Sequence, residues 1–236
     1  MGDFRSFLIS LYQKYNRRLN TGYLENFYQV SYLDLARRTN WLQDTPLASP
    51  NGGTASFSLL YVLLTILRDE EINNIMELGA GKSSILSIQY AEKFMKNFSS
   101  IDNEEYWLQQ VVKKSSYVSP VYAKLSSVTA NNKKIDWYEC EAPSTNVDLL
   151  IIDGPVAYTN ETKYNRLGIL NWLPGILGEE FIIIVDDSSR TGERLLIKQI
   201  LKKLAEKGIS AQTRGIIGAN SQEIIVTQKY QKYLYL

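Results

Sequence analysis

Asn74-Ile75-Met76-Glu77-Leu78-Gly79-Ala80-Gly81-Lys82-Ser83-Ser84 is the stretch on which the fold turns. A short apolar run enters Gly-x-Gly, and a helical pattern over residues 83–94 follows at once. Outward from it, short apolar runs alternate with helical segments. Strands are expected at Phe98–Asp102, Val121–Leu125, Val147–Ile152, Phe181–Val185, Ile209–Thr213 and Glu223–Thr227, with a hairpin or edge near Trp137-Tyr138-Glu139. Helices are expected at Glu104–Lys114, Glu161–Leu173 and Arg194–Lys207. Runs such as LLII and FIII suit strands covered by helices on both faces. The fold class is therefore α/β, a doubly wound, Rossmann-like and mostly parallel sheet.

Residues 1–53 read differently and form a helical N-terminal extension or lid before a Rossmann-like domain at 54–236. Phe4, Phe7, Leu8, Leu11, Tyr12 and Tyr15 have amphipathic helical spacing, and a second helix spans about Asn26 to Arg38. Pro46, Pro50 and Asn51-Gly52-Gly53 mark a loop, after which Thr54 or Ser56 caps an apolar helix ending near Arg68.

Composition narrows the chemistry. The 236 residues include no histidine and one cysteine, and 26 basic against 25 acidic residues leave a net charge of +1. A Ser-His-Asp triad, an imidazole base, an internal disulfide and a Cys/His zinc site are excluded. Balanced charge gives no general attraction for nucleic acid or anionic lipid. The start, MGDFRSFLIS, lacks the apolar core of a secretory signal, although Gly2 and Ser6 formally match a myristoylation pattern. The longest apolar run, Leu59 to Leu67, falls well short of the roughly 20 residues that span a bilayer. A cytoplasmic protein with no membrane partner is expected, its oligomeric state open.

Three ligands suit a strand–Gly-x-Gly–helix turn. Gly81-Lys82-Ser83 looks like the end of a P-loop, and FIIIVDD like its acidic partner strand. The early glycine, however, would fall on Met76, and Glu77 stands where phosphates need N–H donors. A dinucleotide site shares the turn but expects a third glycine where Ser84 stands, and places pyrophosphate near Glu77. S-adenosylmethionine is net cationic and carries no phosphate, so an acid in the turn helps. Asp102, at the next strand end and 21 residues past Gly81, can then accept the ribose hydroxyls. Glu77, Asp102, Asp153 and Asp186 all end strands, and ligands of open α/β sheets bind outside those ends.

With these motifs, residues 54–227 resemble the class I S-adenosylmethionine-dependent methyltransferases. The resemblance rests on IMELGAG (75–81), SID (100–102), VDLLIIDGP (147–155) and FIIIVDD (181–187). It implies that Gly79 and Gly81 pass under the methionine portion of the cofactor and that Glu77 helps hold its ammonium. Asp102 would hold the ribose and Ser126 would flank adenine, with Asp153 contacting the cofactor or acting as base.

The IDGP and VDDSSR segments are also similar to a branch that modifies small molecules or sugars. In metal-dependent O-methyltransferases, acids at these two strand ends ligate a divalent cation, so Asp153, Asp186 and Asp187 would hold Mg or Mn. Otherwise Asp186 and Asp187 cap the following helix. Asp153 and Asp186 are the candidate catalytic residues. Tyr158, Arg166 and Arg190 are candidate contacts to the substrate, a small molecule or saccharide. The competing functions are a non-catalytic S-adenosylmethionine-binding module and a nucleotide-dependent oxidoreductase or NTPase.

Overall fold

The short apolar runs at 75–78, 98–102, 147–152 and 181–185 become strands whose residues alternate between two helix-covered faces. The computed structural model describes residues 22–48, 55–68, 72–111, 116–142 and 144–236. In chain order the strands are β1 (Asn74–Leu78), β2 (Asn97–Asp102), β3 (Val118–Tyr122), β4 (Leu125–Ala130), β5 (Lys133–Tyr138), β6 (Val147–Ile152), β7 (Leu177–Val185), β8 (Gln212–Ile216) and β9 (Gln222–Val226). Seven form one sheet in the order β3-β2-β1-β6-β7-β9-β8. It is parallel from β3 through β7 and closes with antiparallel β9 and β8. The central registers, Ile75 beside both Phe98 and Leu149, bring the carboxyl ends of β1, β2 and β6 level.

Helix α1 (residues 22–37), α2 (Phe57–Leu67) and α3 (Lys82–Phe94) cover one face. Tyr32, Leu59, Leu63 and Tyr90 pack there with Ile75, Phe98, Leu149 and Ile184. Ser56 caps α2, its hydroxyl accepting from the Leu59 N–H at 3.2 Å. Leu59, Leu60, Leu63, Leu64, Ile66 and Leu67 are fully buried, each worth roughly 1.5–3 kcal/mol against exposure. The described part of the N-terminal extension thus shares the main core. On the other face, Leu196, Ile200 and Leu204 of α5 (Thr191–Glu206) join Met76, Leu150, Ile183 and a 3-10 segment, Asn165–Asn171. The remaining helix, α4 (Glu105–Val111), follows β2. Among the described residues no helix is long and apolar enough to cross a membrane.

Three expectations shift. The expected strand Val121–Leu125 straddles the end of β3 and the start of β4. Strand β4 leaves the main sheet to pair antiparallel with β5, around Asn131 and Asn132 at φ 49° and 59°. Two left-handed residues suit the tight turn of a two-stranded hairpin. The segment Glu161–Leu173 is a 3-10 helix only over Asn165–Asn171, within which Gly168 lies hard against Trp137. Ile209–Thr213 gives way to Gln212–Ile216. The 4–15 helical pattern, the Gly2/Ser6 motif, the 51–54 loop and the 53/54 boundary lie outside the described residues.

Candidate functional site

The carboxyl ends of β1, β2, β6 and β7 open into one cleft of about 250 Å³, lined by residues of all four strand-end loops. Its floor is a backbone contact. Gly79 has φ 92°, and a Cβ there would meet the Gly154 nitrogen at 2.8 Å, so glycine is required on both counts. A Cβ on Gly154 would in turn meet Gly79 Cα at 2.7 Å and Tyr138 Oη at 2.5 Å. Gly81 is different: its backbone is extended, and a Cβ there meets nothing within 4 Å. Open space at Gly81 is room for a ligand against the backbone.

Glu77 does not line the cleft. It is fully buried beneath α3, where the Ser83 hydroxyl donates to Oε1 at 2.5 Å and the Ser84 hydroxyl donates to Oε2. The Gly81 N–H donates to Ser84 Oγ at 3.0 Å. Ser84, standing where a dinucleotide site expects glycine, thus ties the turn to Glu77. Burial pushes the Glu77 carboxyl from 4.5 up to about 8, although both hydroxyls oppose the shift. Asp102, at the end of β2, does line the cleft; its Oδ2 accepts from the Ala80 N–H at 2.7 Å and its Oδ1 from the Glu104 N–H at 2.8 Å. Burial raises its pKa and those N–H donors pull it back. Each oxygen keeps a second lone pair for a ligand hydroxyl.

The ends of β6 and β7 bring Asp153, Asp186 and Asp187 together, with one oxygen of each within 4.8 Å of the others. Asp153 is the most open of the three, its side chain 29% exposed. Asp186 is buried, and its Oδ1 accepts from Gln222 Nε2 at 2.7 Å. Asp187 turns left-handed, φ 57°, and pairs with Arg190 at 2.7 Å. Neither caps α5, whose N-cap residue is Arg190 with no side-chain cap bond.

Burial raises the Asp186 pKa well above the carboxylate range, and Asp153 and Asp187 add to it. Asp187 is raised by burial against the pull of Arg166.

Arg166, expected on the rim as a substrate contact, is buried at the centre of these acids with a side chain 5% exposed. Its guanidinium reaches Asp153 Oδ1 at 3.1 Å, Asp187 Oδ2 at 3.4 Å and Glu193 Oε1 at 3.5 Å. It also donates to the backbone carbonyls of Asp153, Pro155 and Asp186. Burial alone would lower the Arg166 pKa; the surrounding carboxylates outweigh it and hold the charge firmly.

The resemblance implies a divalent cation on the three aspartates. The donor set is right, but the charge is already taken: a guanidinium lies against two of the three carboxylates and Arg190 against one. As placed, these residues fit a fixed organic cation better than a metal ion.

Tyr158 is 72% exposed, and Arg190 is partly exposed; both belong to the cleft lining. Ser126 lies on β4 opposite Trp137 and does not line the cleft, because the hairpin begins where a loop after the third strand was expected. Sequence reasoning missed Tyr138, Glu193 and Gln222. Tyr138 lines the cleft, its buried hydroxyl without a hydrogen-bond partner among the described residues; Glu193 is buried against the Arg166 guanidinium. The only signal was proximity: Glu193 follows VDDSSR by three residues.

No protein-family model matches the chain, and no curated protein matches it. Solved structures do. The O-methyltransferase TomG from Streptomyces achromogenes, involved in tomaymycin synthesis and solved with S-adenosylmethionine, is 12% identical, with 88% of this chain and 97% of that one covered at a TM-score of 0.50. An O-methyltransferase from Bacillus cereus, solved with S-adenosylhomocysteine, is 13% identical over 89% of this chain and 99% of that one, again at 0.50. At such identity the likeness speaks for the fold, and it agrees with the strand order and the closing antiparallel pair. The chain has the fold of the class I S-adenosylmethionine-dependent methyltransferases.

Proposed function

We propose that the protein binds S-adenosylmethionine and transfers its methyl group to a hydroxyl of a small molecule or saccharide. The observation that carries this reading is the cleft itself. A glycine turn with open space at Gly81, the ribose-suited acceptors of Asp102 and the acids at the next two strand ends face one volume. Its lining holds five acidic side chains against three basic ones, and the acids still outnumber the cations with Asp186, whose pKa burial raises well above the usual value, set aside; this favours a net cationic ligand and disfavours ATP or a dinucleotide.

In this reading the methionine portion lies over Gly79–Gly81 and the ribose hydroxyls donate to Asp102. Glu77 acts from beneath the turn. The acceptor oxygen attacks the methyl carbon in line with the breaking bond; the C–O bond forms as the C–S bond breaks, and its electron pair goes to sulfur. Asp153 takes the hydroxyl proton, being the more open acid, while Asp186 sits behind it. Holding two reactants in line supplies much of the rate. Tyr158 and Arg190 on the rim are proposed to contact the acceptor. No step runs through Mg or Mn.

Calorimetric titration with S-adenosylmethionine, followed by transfer of labelled methyl to a panel of hydroxyl acceptors, tests the reading. Asp153→Asn is expected to lower turnover about 100-fold or more while cofactor affinity changes little. Undiminished turnover in that variant would move the base elsewhere. Binding without transfer to any acceptor would leave a non-catalytic module, and tight binding of NAD or ATP in its place would overturn the cofactor.

A further inference from the structure

The geometry points to Arg166 as the resident cation of the acidic triad, a positioning residue that takes the place a divalent metal would hold. Three observations converge. First, the guanidinium is buried and contacts Asp153 and Asp187 directly, with Glu193 on its far side. Second, the same group donates to the carbonyls of Asp153, Pro155 and Asp186, so it clips the loop after β6 to the end of β7. A planar fork with five N–H donors can satisfy several acceptors in fixed directions, which a lysine or a small hydrated ion cannot do in the same way. Third, Glu193 is buried against this group: its Oε1 lies 3.5 Å from the guanidinium, and Arg166 is the strongest influence opposing the upward push of burial on its carboxyl, ahead of its own backbone N–H and Arg190.

That third point separates this arrangement from an incidental contact. A buried carboxylate is costly unless a nearby charge compensates it. Glu193 therefore anchors the guanidinium from behind, while Asp153 and Asp187 hold it from the front. A divalent ion among the aspartate oxygens would sit within a few ångströms of this fixed charge, where like-charge repulsion in a water-poor site is strong. Arg166 thus sets the spacing of the triad and lowers its affinity for metal, and it leaves Asp153 facing the cleft.

The inference concerns the cleft of the methyl-transfer reading, but its test needs neither cofactor nor turnover. Manganese(II) titration of the purified, cofactor-free protein, followed by electron paramagnetic resonance, measures it directly. The wild type is expected to show no saturable site, and Arg166→Gln to gain one at least about tenfold tighter than any wild-type binding. Adding Asp153→Asn to that variant should abolish the gain. A purely structural role for Arg166 would not create a metal site. Should Arg166→Gln fail to fold, the double variant Arg166→Gln/Glu193→Gln removes the buried pair together and is expected to show the same gain. A saturable wild-type site that Asp153→Asn removes would overturn the inference, as would a folded Arg166→Gln protein that gains nothing. Neither result bears on whether the protein binds S-adenosylmethionine.

Discussion

Glu77 carries a proton in the folded chain that it would lose in the unfolded one, and this makes its contribution to stability depend on pH. Its folded pKa of about 8 stands above the ordinary 4.5, chiefly through burial, with Asp153 and Asp102 adding to it. The protonated form is therefore favoured by folding. Its stabilisation is fully present below pH 4.5 and is lost as pH rises through 8, with a ceiling of about 5 kcal/mol. Glu77→Gln keeps the shape and removes the titration. The variant should gain stability relative to wild type between pH 5 and about pH 9, by a few kcal/mol in urea melts. A difference that stays constant with pH would show that Glu77 does not titrate in this range. The acid's place at the strand end was legible because it directly precedes Leu78-Gly79. Its burial was not, since only the folded helix brings the Ser83 and Ser84 hydroxyls onto it. Arg166 was equally opaque: the segment 161–173 reads as a helix with a solvated face, and nothing in the sequence says that this charge turns inward.

At the scale of elements, glycine separates packing from binding. The first turn of α5 passes so close to the loop before the 3-10 segment that a Cβ on Gly192 would fall 1.6 Å from the Lys163 carbonyl oxygen. Backbone cannot move aside as a flexible side chain can, so Gly192→Ala should destabilise the fold by about 3 kcal/mol, seen as a lower urea midpoint at unchanged slope. Gly81→Ala, at the start of α3, should barely shift that midpoint, because its Cβ enters open space. It should weaken S-adenosylmethionine at least about tenfold by filling the ligand's room. Equal effects of the two changes on stability would overturn the distinction. The parallel strands were legible because burial on both faces writes them as unbroken apolar runs, as in LLII and FIII. The hairpin blurred because VYAKL joins the end of one strand to the start of another without a Gly or Pro between them. Ser126, the residue the resemblance offered for adenine, falls on β4 and outside the cleft lining.

For the molecule as a whole, the net charge of +1 conceals a division. The cleft lining gathers Asp102, Glu104, Asp153, Asp186 and Asp187 against Lys82, Arg166 and Arg190. Even with Asp186 and its raised pKa set aside, the lining holds more acids than cations, so the excess of basic groups lies elsewhere on the chain and a net negative field is expected at the strand ends. That field distinguishes two molecules of nearly the same shape. S-adenosylmethionine bears one more positive charge than S-adenosylhomocysteine, at the sulfur. Salt screens the long-range part of this attraction, since the Debye length shrinks from about 14 Å at 50 mM to about 6 Å at 300 mM. Across that range affinity for the sulfonium form should fall about threefold more than affinity for the thioether. Paired calorimetric titrations at the two salt concentrations read the difference. Parallel salt dependence would mean that Arg166 and Arg190 already neutralise the acids, so that the cofactor is held by shape and hydrogen bonds instead of by charge.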